Sequence, residues 1–229
     1  MPTDLTTLAR PEFVLVAWAA GLALVSGLVA VVRVVGPGFT WITGVVAALL
    51  GVAGVFAQDP WWARVGLLLL VLGLIWARNR QLSGILQIGA GVALVFQASG
   101  GGGWLPAVSA ALALGGVTGE MGLGHWYLVD PRLPRWALKS LAIAGIVGLA
   151  ADAGVLAVAG LPPGGATIAY WVLMATSVLL MGGVFGSLRY PAYAGVMAAT
   201  GLSYLAVLTT LGGVFLGRLQ VAGLGPFAS

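Results

Sequence analysis

The stretch from Thr118 to Lys139 reads TGEMGLGHWYLVDPRLPRWALK, and it shows in short form how the whole chain is built. An apolar run ends at Val129, Asp130-Pro131 interrupts it, Pro134 follows, and a new apolar run opens among Arg132, Arg135 and Lys139. Two prolines restrict the backbone between the runs, so the stretch reads as a helix end, a stiff crossing and a helix start. It also holds the single histidine, His125, and an acid, Glu120, embedded in apolar sequence.

The rest of the chain repeats the pattern. Of its 229 residues 60% are hydrophobic and 7% charged, with a mean hydropathy of +1.07. Soluble domains carry charge on about a quarter of their residues, so this chain cannot cover itself with polar surface and needs lipid as its solvent. A bilayer core of roughly 30 Å asks for about 20 apolar residues per helix. Eight stretches qualify: 12–35, 38–57, 61–77, 82–98, 104–128, 136–160, 166–188 and 192–217. Between them lie Gly36-Pro37-Gly38, Asp59-Pro60, Gly100 to Gly103, Asp130-Pro131, Leu161 to Gly165 and Tyr190-Pro191, all turn-forming sequences. Asp59 is expected to cap the helix that starts at Pro60. Turns this short force neighbouring helices antiparallel. The expected architecture is all-α: a polytopic membrane protein, an antiparallel bundle of about eight transmembrane helices in a single domain over residues 1–229. The leading segment MPTDLTTLARPEF is weakly basic and runs into a long span, so it reads as the start of a retained helix rather than a secretory signal.

Charge sets the expected orientation. Arg33, Arg78, Arg80, Arg132, Arg135, Lys139 and Arg189 follow odd-numbered spans, whereas Arg10, Arg64 and Arg218 lie in even loops or near the termini. By the positive-inside rule the odd loops are cytoplasmic and both termini extracytoplasmic, in a cell (plasma or inner) membrane. The same scatter argues against a nucleic-acid partner despite the net charge of +4. Nine tryptophans, mostly near span ends, read as an aromatic belt. Cysteine is absent, and no Walker loop, HExxH or nucleophile elbow with a suitable histidine occurs, so neither a catalytic set nor a metal site is expected.

Glycines four apart, Gly115 with Gly119, Gly182 with Gly186 and Gly213 with Gly217, predict close helix approaches. Two echoes hint at duplication: Gly51 to Phe56 with Gly91 to Phe96, and Gly182 to Phe185 with Gly212 to Phe215.

Candidate chemistry rests on few residues. Glu120 and Asp152 lie within spans, where a carboxylate costs about 2.5–3.5 kcal/mol, so each is expected to face the interior, to pair or to take up a proton. Arg64 is the expected partner of Asp152, and together Glu120, Asp152 and Arg64 form a candidate proton path. His125 can hydrogen-bond a quinone, ligate haem iron or simply meet headgroups; with one histidine, a haem would need Met174, Met181, Met197 or another subunit. His125, Trp126, Tyr127 and Glu120 are the candidate cofactor residues, for a quinone or haem b. Arg132, Arg135 and Lys139 are candidates for binding anionic lipid, a phosphate group or an acidic partner, beyond their topological role. The leading expectation is an integral membrane subunit of a redox or energy-coupling complex, with a cofactor pocket near the cytoplasmic interface and other membrane or peripheral subunits as partners besides the bilayer. The alternatives are a secondary transporter or channel for a small solute that uses the intramembrane acids, and a structural or assembly protein.

Overall fold

The computed structural model describes residues 11–57 and 59–221. Asp4 and Arg10 of the leading segment lie outside them. The described chain is all helical: α1 (Pro11–Val31), α2 (Pro37–Gly51) continued by a 3₁₀ segment (Val52–Phe56), α3 (Trp61–Ile75), α4 (Arg80–Gly102), α5 (Trp104–Val129), α6 (Arg135–Ala159), α7 (Gly165–Ser187) and α8 (Tyr193–Val221). Seven of these eight, counting α2 with its 3₁₀ extension, are long and apolar enough to cross a membrane.

The exception is α3. Its 15 residues span about 22 Å at 1.5 Å per residue, short of the hydrocarbon thickness. The sequence predicts a helix to residue 77, but Trp76 to Asn79 turn instead, because Asn79 Oδ1 accepts the Leu82 N–H and starts α4 early. α4 is correspondingly longer than its expected range. The start of α3 also differs from expectation. Asp59 Oδ1 reaches the Trp61 N–H only at 3.4 Å, and the cap comes from α4: Gln97 Oε1 accepts the Ala63 N–H and its Nε2 donates to the Asp59 carbonyl, both at 2.9 Å. Gln97→Ala should therefore destabilise the protein by about 1–2 kcal/mol, the range for lost caps and side-chain hydrogen bonds, readable by detergent-micelle unfolding.

Two four-helix groups share one pattern of neighbours. Within the first, α1 packs on α2 and α4, and α3 packs on α4; within the second, α5 packs on α6 and α8, and α7 on α8. The groups join where α1 and α5 run parallel, with Gly21 against Gly115 and Val25 against Gly119. Lipid supplies no hydrophobic drive for helix association, so such close backbone contact is a main source of cohesion. A Cβ on Gly115 would sit 2.4 Å from the Gly21 Cα, which only a residue without one avoids. Trp18 crosses the same seam, donating from Nε1 to Thr118 Oγ1 at 2.8 Å, so it is not part of an outer belt. Trp41, Trp61, Trp62, Trp76, Trp104, Trp136 and Trp171 are exposed.

The sequence echoes do not mark this arrangement. They pair α2 with α4 and α7 with α8, helices with different roles in their groups. Of the glycine pairs, Gly115 with Gly119 and Gly213 with Gly217 lie at helix contacts, whereas Gly182 and Gly186 meet nothing within 4 Å.

Candidate functional site in the bundle interior

Glu120 sits on α5 with no solvent exposure. On one side Gly119 presses α5 against Val25 of α1; on the other, Gly124 opens space toward α8, where a Cβ would lie 2.7 Å from Thr200 Oγ1 and 3.7 Å from Glu120 Oε1. The hydroxyl of Ser203 faces the carboxyl. It donates at 2.8 Å to the Thr200 carbonyl, however, while Thr200 Oγ1 donates at 2.9 Å to the Val196 carbonyl. Neither oxygen of Glu120 has a hydrogen-bond partner among the described residues. The acid thus lies buried beside two hydroxyls spent on backbone, with both of its oxygens unsatisfied.

Asp152, on α6, is equally buried but is held through one oxygen, while its Oδ2 and the Nε and Nη1 of Arg218 have no partner among the described residues. Its Oδ1 accepts from Ser109 Oγ at 2.7 Å and from Nη2 of Arg218, which also donates to the Pro106 carbonyl at 3.1 Å. Arg218 is fully buried, with its guanidinium 5.5 Å from the Phe13 ring centre. The pair thus clamps α5, α6 and α8 together where α1 begins. Arg64, the expected partner, is exposed on α3, which packs on α2 and α4. Arg218 was expected to be a terminal topology charge, with its span ending at 217. The missed signal is the apolar Leu219 and Val221 beyond it, which let α8 continue and carry the arginine inside.

His125, Trp126 and Tyr127 do not converge. Successive helical residues point about 100° apart, and these three meet three different neighbours. His125 is exposed, and its Nδ1 lies 3.1 Å from Tyr204 Oη of α8. Trp126 sets its ring edge-on to Phe39 of α2 with centroids 5.9 Å apart. Tyr127 is buried and accepts from Arg135 Nε at 3.4 Å. Met174 and Met181 pack on Gly213 and Gly145.

The basic crossing is also largely occupied. Arg135 donates to the carbonyls of Tyr190, Pro191 (2.6 Å) and Ala192 (3.2 Å), tying α6 to the turn before α8. Arg132 Nε pairs with Asp130 Oδ1 at 3.0 Å, and the side-chain and backbone hydrogen bonds from Arg132 hold the exposed Asp130 carboxyl below the usual carboxylate range. Lys139 is half-buried without a side-chain bond among the described residues.

Fold and interior together define a multi-pass helical membrane protein. No family model, curated protein or solved structure matches the chain.

Proposed function

We propose that the protein is a secondary transporter for a small solute in the cell membrane, with Glu120 as its proton-exchanging group. The observation that carries this reading is the Glu120 carboxyl, wholly buried at the α5–α8 contact with neither oxygen bonded. An acid kept in that setting costs stability, and ionisable groups inside membranes characteristically mark ion or proton pathways. The protonated acid can donate to a neighbouring hydroxyl oxygen. Once ionised, it takes the Ser203 hydroxyl as donor, and Ser203 must then release the Thr200 carbonyl. Charge on Glu120 is in this way coupled to the backbone of α8. Asp152 and Arg218 hold the outer part of the interior rather than relaying protons, and Arg64 has no place in the path. The face carrying Arg33, Arg78, Arg80, Arg132, Arg135, Lys139 and Arg189 is cytoplasmic in this reading, with both termini outside.

The test is uptake into reconstituted vesicles under an imposed pH gradient. Glu120→Gln should abolish proton-coupled flux while leaving the protein folded, because the amide keeps the shape and loses the exchangeable proton. Ser203→Ala should reduce flux less. Undiminished proton flux in Glu120→Gln rejects the assignment.

A second reading rests on a different observation. His125 is exposed with only Nδ1 engaged by Tyr204, which leaves Nε2 to meet a quinone carbonyl at the membrane interface, as a subunit of a redox complex would require. Haem is the weaker variant, since Met174 and Met181 are committed to packing and a second ligand would have to come from the exposed Met197 or another subunit. Native-membrane preparations showing neither a haem difference spectrum nor copurifying quinone would remove this reading. An assembly protein would pass neither test.

A further inference from the structure

Two loops on the basic face close on a single cleft of about 470 Å³, lined by Arg33, Arg78, Asn79, Arg80 and Gln81. Each wall is fixed from within the bundle. α1 ends with the Val34 N–H bonded to the Val29 carbonyl at 3.1 Å and the Arg33 N–H to the Ala30 carbonyl at 3.0 Å. This ending places Arg33 in the left-handed region at φ 61°, a position that helices usually give to glycine because Cβ crowds the backbone there. On the other wall, Ser83 Oγ donates to the Gly73 carbonyl at 2.7 Å, which holds the turn between α3 and α4. The walls are pinned together one helical turn or so below, where a Cβ on Gly84 would meet the Gly27 carbonyl oxygen at 2.7 Å.

All three arginines are exposed, and none has a side-chain hydrogen bond or ion pair among the described residues. On this face the only acid among the described residues is Asp130, already taken by Arg132. Three like charges gathered from loops some 45 residues apart repel one another unless an anion joins them. Guanidinium groups match phosphate oxygens two at a time, and the amides of Asn79 and Gln81 add further donors. Exposed Trp76 beside the cleft places it at headgroup depth.

We propose that this cleft is a binding site for a phosphate group, presented either by an anionic phospholipid headgroup or by a soluble phosphate. It is separate from Glu120 and does not depend on the transport reading. The full chain, in detergent, is offered phosphatidylglycerol against phosphatidylcholine and followed by native mass spectrometry; binding of radiolabelled inorganic phosphate is measured in parallel. Arg33→Gly removes the guanidinium yet suits the left-handed turn, so the end of α1 survives. Retained phosphatidylglycerol should fall about fivefold in Arg33→Gly and further in Arg78→Gln/Arg80→Gln, in keeping with the contribution of single basic residues at anionic surfaces. Arg64→Gln, on the opposite face, should bind as the parent does. Inorganic phosphate bound with the same sensitivity, and no lipid preference, assigns the soluble source. Failure to bind either probe, or binding equally affected by Arg64→Gln, overturns the proposal.

Discussion

Asp152→Ala should destabilise the folded protein by about 3–5 kcal/mol, the range for removing one partner of a buried ion pair. The reason is that Arg218 stays behind, fully buried, with a guanidinium that cannot shed its proton. Arg218→Leu should cost less, since the carboxyl left in place can neutralise itself by taking up a proton and keeps its bond from Ser109. The double variant Asp152→Leu/Arg218→Leu should be more stable than Asp152→Ala, because a buried pair replaced on both sides leaves no orphan charge. Unfolding in mixed micelles with increasing denaturing detergent measures all three. Equal losses for the two single variants would show that the orphaned guanidinium does not set the cost.

Gly115→Leu should cost about 3 kcal/mol, the upper end of what overpacking does, because its side chain would enter a backbone-to-backbone contact. The α1–α5 seam would have to open, separating the two four-helix groups and stretching the Trp18 to Thr118 bond across them. Gly182→Leu is the matched control: it is also helical and the first glycine of a GxxxG pair, but nothing lies within 4 Å of its Cβ position, so its unfolding midpoint should barely move. If both variants lost stability alike, the backbone contact at the seam would not be what sets the cost, since helix propensity favours leucine over glycine at either site.

Much of the architecture is written in composition and local pattern. Apolar length, proline and glycine punctuation, and basic residues at alternate turns are local signals. Counting α2 with its 3₁₀ extension, they place the ends of all eight helices to within four residues, the largest departures being the C-terminal ends of α1, α4 and α8. The misses are tertiary. Arg218 meets Asp152 across 66 residues of chain, and Gln97 caps α3 across 34; no spacing rule connects such pairs. The burial of Glu120 and Asp152 followed from the cost of charge in hydrocarbon, but which acid would be paired and which left alone did not. For His125, Trp126 and Tyr127 the information was present, since three consecutive helical residues cannot share one face. Arg33, Arg78 and Arg80 registered only as topology markers, because the cleft they share exists only once α1 and α4 have packed.

The paired four-helix groups are alike in wiring and unlike in electrical content. Among the described residues Ser26, Thr40, Thr43, Ser83 and Gln87 are the buried polar residues of the first, none of them ionisable, while the second encloses Glu120, Asp152 and Arg218. At the register of the seam, Ser26 stands level with Glu120. The ionisable groups buried among the described residues are therefore confined to one flank, and on the transport reading a change of charge at Glu120 acts first on α5 and α8.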